Sequence, residues 1–412
     1  MGKMGFTIIY KGKIIFSGGN KMSEVYEYKS RTAIIPKSNP TNKKKYIVAV
    51  DYGYSTTKVY SENKIAVFPS FAKKIPEGTD SVGNPSSTEI EYRDNDTGER
   101  WYVGEIAQSF AESSDTDLAL YGRNRYFAPS FKVIAETGIG IGMMDGSKDK
   151  PLFVQTGLPP KYRGKKVDNE PTGDDVYMYH ILKGKHNFSL RVGNNDWVDF
   201  NFTLGEDDIA ITDQPKGGLI SSTQRDDGTI PDRAKKIPNA TSLVLDIGFG
   251  TADIYKIVSR KIADKETMDD MGMKKVFEKT IAKIEKEYNK SYTVIQLQSL
   301  LQDGNIRSFD RMTRKTKSGN IEPLLNESSK EVCYELINKI LDMYDISEFK
   351  YVILDGGTAE AWSNYIKEYF YNEMGLSGMI SVISAVREST VNPIFGNARG
   401  YYLLRNYLLS KE

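Results

Sequence analysis

Two stretches of this chain are one device written twice. Laid so that Asp51 falls on Asp246, the segments YIVAVDYGYSTTKVY (46–60) and LVLDIGFGTADIYKI (243–257) also match Gly53 with Gly248, Tyr54 with Phe249, Thr56 with Thr251 and Tyr60 with Tyr255. Apolar residues lead into each Asp. Each copy reads as a buried strand carrying an Asp at its end, a tight turn of Gly, Ser and Thr, and a second strand. A single copy could be a plain hairpin with an Asx turn, but a duplicated one constrains the whole architecture. At 412 residues the chain also exceeds the roughly 250 to 300 residues at which one hydrophobic core stops growing, so two domains are predicted.

The rest of the chain fits an α/β plan. From Tyr46 onward, apolar runs of strand length end in Gly or Asp and alternate with helical stretches at 327–343 and 359–373. Segment 272–289 carries Val276, Phe277, Ile281 and Ile284 at helical spacing with Lys and Glu between them, which predicts a half-buried helix. Polar stretch 221–240, with two prolines, reads as a crossover between domains, and 302–322, with Arg307, Arg311, Arg314, Lys315 and Lys317, as a solvated loop. Ahead of Tyr46, FTIIYKGKIIF reads as a pair of short β runs around Lys11-Gly12-Lys13, followed by a polar stretch, together an appendage over 1–45.

The composition of the duplicated turn carries chemistry. Gly and small hydroxyl residues let consecutive backbone N–H groups converge on an anion, the arrangement that cradles phosphates. A carboxylate at the strand end supplies a hard oxygen for Mg²⁺, usually through its waters, or orients an attacking water. A third segment, YVILDGGTAEAW (351–362), is again a strand, then Asp355-Gly356-Gly357-Thr358, then a helix start, and its glycine pair admits a flat ligand such as adenine close to the backbone. Thr358 is equally placed to cap that helix.

Other chemistries lack their residues. One cysteine, Cys333, forms no internal disulfide, and two histidines, His180 and His186, are too few for a His/Cys metal cage; this is a reduced, cytosolic composition. With 56 Lys and Arg against 55 Asp and Glu, the net charge of +1 offers no global field for nucleic acid. The N-terminus lacks a signal-type apolar region, and no segment approaches the roughly 18 apolar residues of a membrane span.

The order of phosphate loop, phosphate loop and adenosine glycines resembles the actin, Hsp70 and sugar-kinase superfamily, and within it the bacterial ParM/StbA-type actins of plasmid segregation. The resemblance covers residues 46 to about 407. PLFVQTGLPP (151–160) is similar to the strand and turn between the two phosphate loops, DIAITDQPKGG (208–218) to the strand leading to a water-orienting Gln or Glu, DDMGMKK (269–275) to the glycine loop beside ribose and base, and NPIFGNARGYYLL (392–404) to the closing segment.

What the resemblance implies is α/β: two RNase H-like domains flanking a nucleotide cleft. Their expected extents are 46–225, with 386–412 returning to it, and 241–385. Asp51 would sit near Mg²⁺, most simply through water, with ATP or GTP phosphates on Gly53, Tyr54, Ser55, Thr56, Thr57, Gly248, Phe249, Gly250 and Thr251. Asp246 and Gln214 would orient the lytic water. Lys58 could meet a phosphate or be a surface lysine on the second strand. Gly272, Lys275, Glu278, Gly356, Gly357 and Thr358 are the candidates around ribose and base.

The implied function is a cytoplasmic ATPase that assembles into helical filaments and moves plasmid DNA through a ParR-type DNA-bound adaptor, with no direct contact to nucleic acid or membrane. Readings left open are a small-molecule kinase of the same fold, for which no acidic base and hydroxyl pocket is evident, and a membrane-associated or non-polymerising relative. An Hsp70-type chaperone would need a β-sandwich after the ATPase, and the sequence ends at Glu412. The tail YYLLRNYLLSKE reads as a last buried helix rather than a membrane anchor.

Overall fold

A computed structural model describes residues 7–10, 13–16, 31–79, 83–112, 122–147, 149–164, 171–310 and 312–412. Its frame is two sheets built on one plan. In the first, β1 (Tyr46–Tyr52) pairs antiparallel with β2 (Thr56–Ser61) on one side and parallel with β3 (Leu152–Leu158) on the other; β4 (Ile209–Asp213) then extends the parallel half. In the second sheet, β5 (Ser242–Ile247) pairs antiparallel with β6 (Thr251–Val258) and parallel with β8 (Tyr351–Asp355), and β7 (Lys261–Asp269) continues the antiparallel half. The sequence repeat is therefore a repeat of topology. It puts each Asp at the carboxyl end of a central strand, where ligands bind in open α/β sheets.

Both central strands are buried along their whole length, as continuous apolar runs must be when helices cover both faces. The first sheet has α2 (Pro129–Met143) on one face. A five-stranded antiparallel sheet that includes Ile90–Asp94 and Gly184–Val192 packs beyond it, with α1 (Glu105–Ser109) at its end. His186 belongs to that layer: its Nδ1 faces Glu136 Oε1 at 2.8 Å and its Nε2 faces the Leu182 carbonyl, a satisfied core position. The second sheet is covered by α4 (Met273–Tyr288), α5 (Val294–Asp303), α6 (Glu322–Met343) and α7 (Gly357–Glu368), whose apolar sides form the largest core cluster.

The remaining faces are covered by exchange. Helix α3 (Gln214–Thr223) follows the last strand of the first sheet but packs on the second, where Leu219 meets Val244, Tyr255 and Ile353. Helix α8 (Gly396–Leu409) follows the second sheet but packs on the first, where Ala398, Tyr401 and Tyr402 meet Ile47, Ala49 and Phe153. The two helices cross at glycines: a Cβ on Gly400 would lie 1.9 Å from the Gly217 carbonyl oxygen, so only hydrogen fits there. The C-terminal tail is thus a buried helix through Tyr402, with Tyr407 and Leu408 exposed beyond it.

Three sequence expectations change. The crossover between sheets begins at Gln214, in α3, rather than at Ser221. The stretch read as a solvated loop at 302–322 is a hairpin, Asn305–Asp310 paired with Lys315–Asn320, pinned by fully buried Ile306 and by the Lys290 and Lys317 amines on backbone carbonyls. Within the 1–45 appendage, the two short β runs do pair, Thr7–Tyr10 with Lys13–Phe16. Ala33–Pro36, however, is the edge strand of the first sheet, and Asn39 and Asn42 behind it are buried, so this part is knit into the domain. The physical reason is an edge strand at Lys64–Pro69 that offered unpaired backbone groups.

Candidate functional site

Strand register assembles the site. In β1–β2, Asp51 lies opposite Lys58, whose Nζ stands 3.2 Å from Asp51 Oδ2. The lysine is largely buried and curls back under the loop, which removes the surface reading of Lys58. Gln214, the first residue of α3, follows strand β4 and donates from Nε2 to Asp51 Oδ1 at 3.4 Å. In the second sheet Asp246 lies opposite Asp253 on one side and Asp355 on the other. Asn397, from the first turn of α8, donates from Nδ2 to Asp246 Oδ2 at 2.7 Å.

This is a buried concentration of carboxylates. Burial, with the negative charge of Asp51 adding to it, pushes Asp246 up to about 7 against the pull of the Asn397 bond. Asp355 is raised well above the ordinary carboxylate range by burial and by Asp246. Asp253 is raised for the same reasons, although Thr267 and Thr251 donate to it at 2.6 and 3.1 Å. Among the described residues no group of three or more His, Cys, Asp or Glu side chains is set to grip a metal ion directly. A hydrated divalent cation nonetheless fits: it would favour the ionised forms of Asp246 and Asp355, near which Lys58 is the close cation among the described residues, and Asp51 would reach it through water.

The loops themselves are held by their carbonyls. In the second, the Gly248 carbonyl accepts from the Thr358 hydroxyl at 2.6 Å and from the Met273 N–H, while the Phe249 carbonyl accepts from the Lys274 N–H at 2.8 Å. Trans peptide planarity then turns the N–H groups of Phe249 and Gly250 away from those partners. In the first loop the Gly53 carbonyl accepts from Ser70 Oγ and the Ser55 carbonyl from Ser70 N–H, both at 2.8 Å, which turns the Tyr54 N–H outward in the same manner. The loops meet: a Cβ on Gly250 would lie 3.0 Å from the Tyr54 ring. Gln298 on α5 reaches over from the second domain, donating to Ser55 Oγ at 2.9 Å and accepting from Gln108 of α1 at 3.2 Å. Ile295 packs beside it on Phe71, Tyr102 and Ala107.

The residues expected around ribose and base divide. Gly356, at φ 88°, sits where a Cβ would strike the Ile247 carbonyl and Asp246, so the third turn abuts the second Asp. Thr358 is bonded to the second loop, and Gly356, not Thr358, occupies the N-cap of α7. Gly272 abuts the carbonyls of Gly248 and Phe249 at a distance no side chain tolerates. Gly357 borders open space, with Ile394 the nearest contact. Thr56, Thr57 and Thr251 sit at the starts of β2 and β6; Thr57 shares a 2.9 Å hydroxyl contact with Ser70. Lys275 pairs with Glu335 at 2.6 Å, and Glu278 lies 3.6 Å from Lys274, so the structure engages both along helix surfaces.

Three residues escaped sequence reasoning. Asp355 stood in the third motif but was read only for its glycines, and Asn397 stood in the closing segment with no role. Asp253 was visible in the repeat itself, since it falls on Lys58: the second copy places an acid where the first places an amine.

Comparison with known proteins fits this geometry. Residues 49–217 match the family described as the N-terminal domain of actin like proteins. The whole fold is that of solved actin-like proteins. A non-polymerisable quadruple mutant of pCBH ParM superposes with TM-score 0.65 at 19% identity, covering 88% of this chain and 100% of the other. A subunit of a 15-stranded ParM filament from Clostridium botulinum gives 0.63 at 20% identity, covering 89% and 99%. An archaeal actin homologue gives 0.58 at 16% identity, covering 89% and 100%. Among curated proteins none matches the sequence.

Proposed function

We propose that this actin-like chain is a filament-forming ATPase, with GTP as the alternative nucleotide, whose assembly segregates plasmid DNA through a ParR-type DNA-bound adaptor in the cytoplasm. The observation that carries the reading is the facing pair of Asp-bearing loops, with Gln214 bonded to Asp51 and Asn397 to Asp246. Two adjoining loops of Gly and small hydroxyl residues, each led by an Asp, suit a polyphosphate clamped between them.

In that reading, bound Mg²⁺ would neutralise charge on the β- and γ-phosphate oxygens. Gln214, its Nε2 fixed on Asp51, keeps its carbonyl oxygen for the lytic water. Asp246, its Oδ2 fixed by Asn397, keeps Oδ1 for the same water. A carboxamide orients water but is a poor base, which makes hydrolysis slow and suits a timer. With γ-phosphate bridging the loops, the closed shape is the one that docks a neighbour, and head-to-tail contacts that do not close produce helical filaments. The ParM structures of similar fold include a filament.

The experiment is sedimentation and light scattering with Mg²⁺ and ATP, GTP or ADP. Wild type is expected to pellet with triphosphate, and Asp246→Ala to form polymer that fails to turn over. No pelletable polymer from wild type at tens of micromolar with saturating nucleotide refutes the filament reading.

A further inference from the structure

One cation beside the loops has no counter-ion. Lys58 pairs with Asp51, Arg123 with Asp174, Lys161 with Asp269, Arg163 with Asp175 and Asp213, and Lys275 with Glu335. Arg125, in the turn Arg123–Phe127, is 6% exposed and has no ion-pair partner among the described residues; its Nε has no hydrogen-bond partner either. Burying an unpaired charge costs several kcal/mol, and ring faces offset part of that. Its guanidinium carbon lies 4.1 Å from the centre of the Tyr54 ring, 4.9 Å from Phe131 and 5.3 Å from Tyr126. Its Nη2 donates to the Tyr52 carbonyl at 2.9 Å.

Those contacts fall on either side of Gly53. The Tyr52 carbonyl opens the first phosphate loop and the Tyr54 ring is its crest, with Gly250 of the second loop beyond the ring. The guanidinium and the second loop therefore both border the Tyr54 ring. The charge balance of the site points the same way. Lys58 is already matched by Asp51, and a triphosphate would bring more negative charge than a single divalent cation offsets.

We propose that Arg125 is a positioning residue for the terminal phosphate of a bound nucleoside triphosphate: it fixes the first loop through the Tyr52 carbonyl and the Tyr54 ring, and gives that loop its unmatched positive charge. This rests on the nucleotide reading above and adds a discrimination to it. Removing the guanidinium weakens triphosphate binding far more than diphosphate binding, because the added charge is that of the last phosphate. A residue that merely held the turn together would weaken both alike.

The test is competition against a fluorescent nucleotide on the full chain with Mg²⁺, using ADP and a non-hydrolysable ATP analogue, for wild type, Arg125→Met and Arg125→Lys. Arg125→Met is expected to lose about tenfold or more in triphosphate affinity and less than about threefold in diphosphate affinity, the size of one charge-assisted contact. Arg125→Lys recovers most of the loss. Parallel losses for both nucleotides, no loss, or a lysine variant no better than methionine overturns the proposal. Should Arg125→Met fail to fold, Arg125→Gln, which keeps a donor for the Tyr52 carbonyl, is judged by the same ratio. A wild type that binds neither nucleotide overturns the nucleotide reading itself, and this inference falls with it.

Discussion

Replacing Asp246 by Asn is expected to stabilise the nucleotide-free protein, increasingly so as pH rises. The carboxyl moves from an ordinary 3.8 to about 7 on folding, chiefly through burial. A group raised in the folded state contributes its full stability below pH 3.8, where both states hold the proton. That stability drains away as pH climbs toward 7, because the unfolded chain ionises first. Above pH 7 the accumulated penalty is about 4 kcal/mol, at 1.36 kcal/mol per pH unit. Asp246→Asn keeps an acceptor for the Asn397 amide and escapes the penalty. Its advantage over wild type is therefore about 2 to 3 kcal/mol larger at pH 8 than at pH 5. The assay is thermal melting of both proteins across pH 5 to 8 without Mg²⁺ or nucleotide, where that difference corresponds to a gain of about 2 to 4 °C, at roughly 1 °C per kcal/mol for a chain of this length. An advantage that is flat across the range, or that shrinks as pH rises, refutes the claim that burial holds a proton on Asp246.

Two further perturbations test the frame around the site. Gly400→Ala puts a methyl group 1.9 Å from the Gly217 carbonyl, and is expected to cost about 3 kcal/mol or more by forcing α3 and α8 apart, read as a loss of melting temperature or of soluble expression. Gln298→Ala removes the bonds to Ser55 and Gln108 and is expected to loosen the mouth of the cleft without unfolding either domain. Faster amide exchange confined to α1, α5 and the first loop would bear this out, and unchanged exchange there would count against it.

The strand–Asp–turn–strand units were legible because all their information is local: apolar runs of strand length, a carboxylate, then small residues. Duplication then predicted the second sheet from the first. The helix at Met273–Tyr288 was legible from spacing over 272–289, and that at Glu322–Met343 over 327–343, its first five residues excepted. What stayed hidden depends on contacts between distant segments. Nothing near Lys58 in sequence says that its amine turns inward, because strand register against Asp51 decides it. Asn397 reaches Asp246 only because α8 crosses α3. The hairpin at 305–320 reads as loop because its strands alternate polar with polar, and a single buried Ile306 anchors it. Gln298 finds Ser55 only when the domains close on each other.

The exchange of α3 and α8 sets an order on the molecule's birth. Ile47, Ala49 and Phe153 lie on the face of the first sheet that α8 covers, so this face stays bare until residues 396–409 have been made. From Leu158 to α8, at roughly 5 to 20 residues per second, that wait is on the order of 10 to 50 s. For that interval a half-clad sheet emerges from the ribosome with an apolar side open to water. Neither half can be cut out as a clean piece, since each wears the other's helix. That face is shielded only when α8 arrives, and a chain truncated before Gly396 would carry it bare for good.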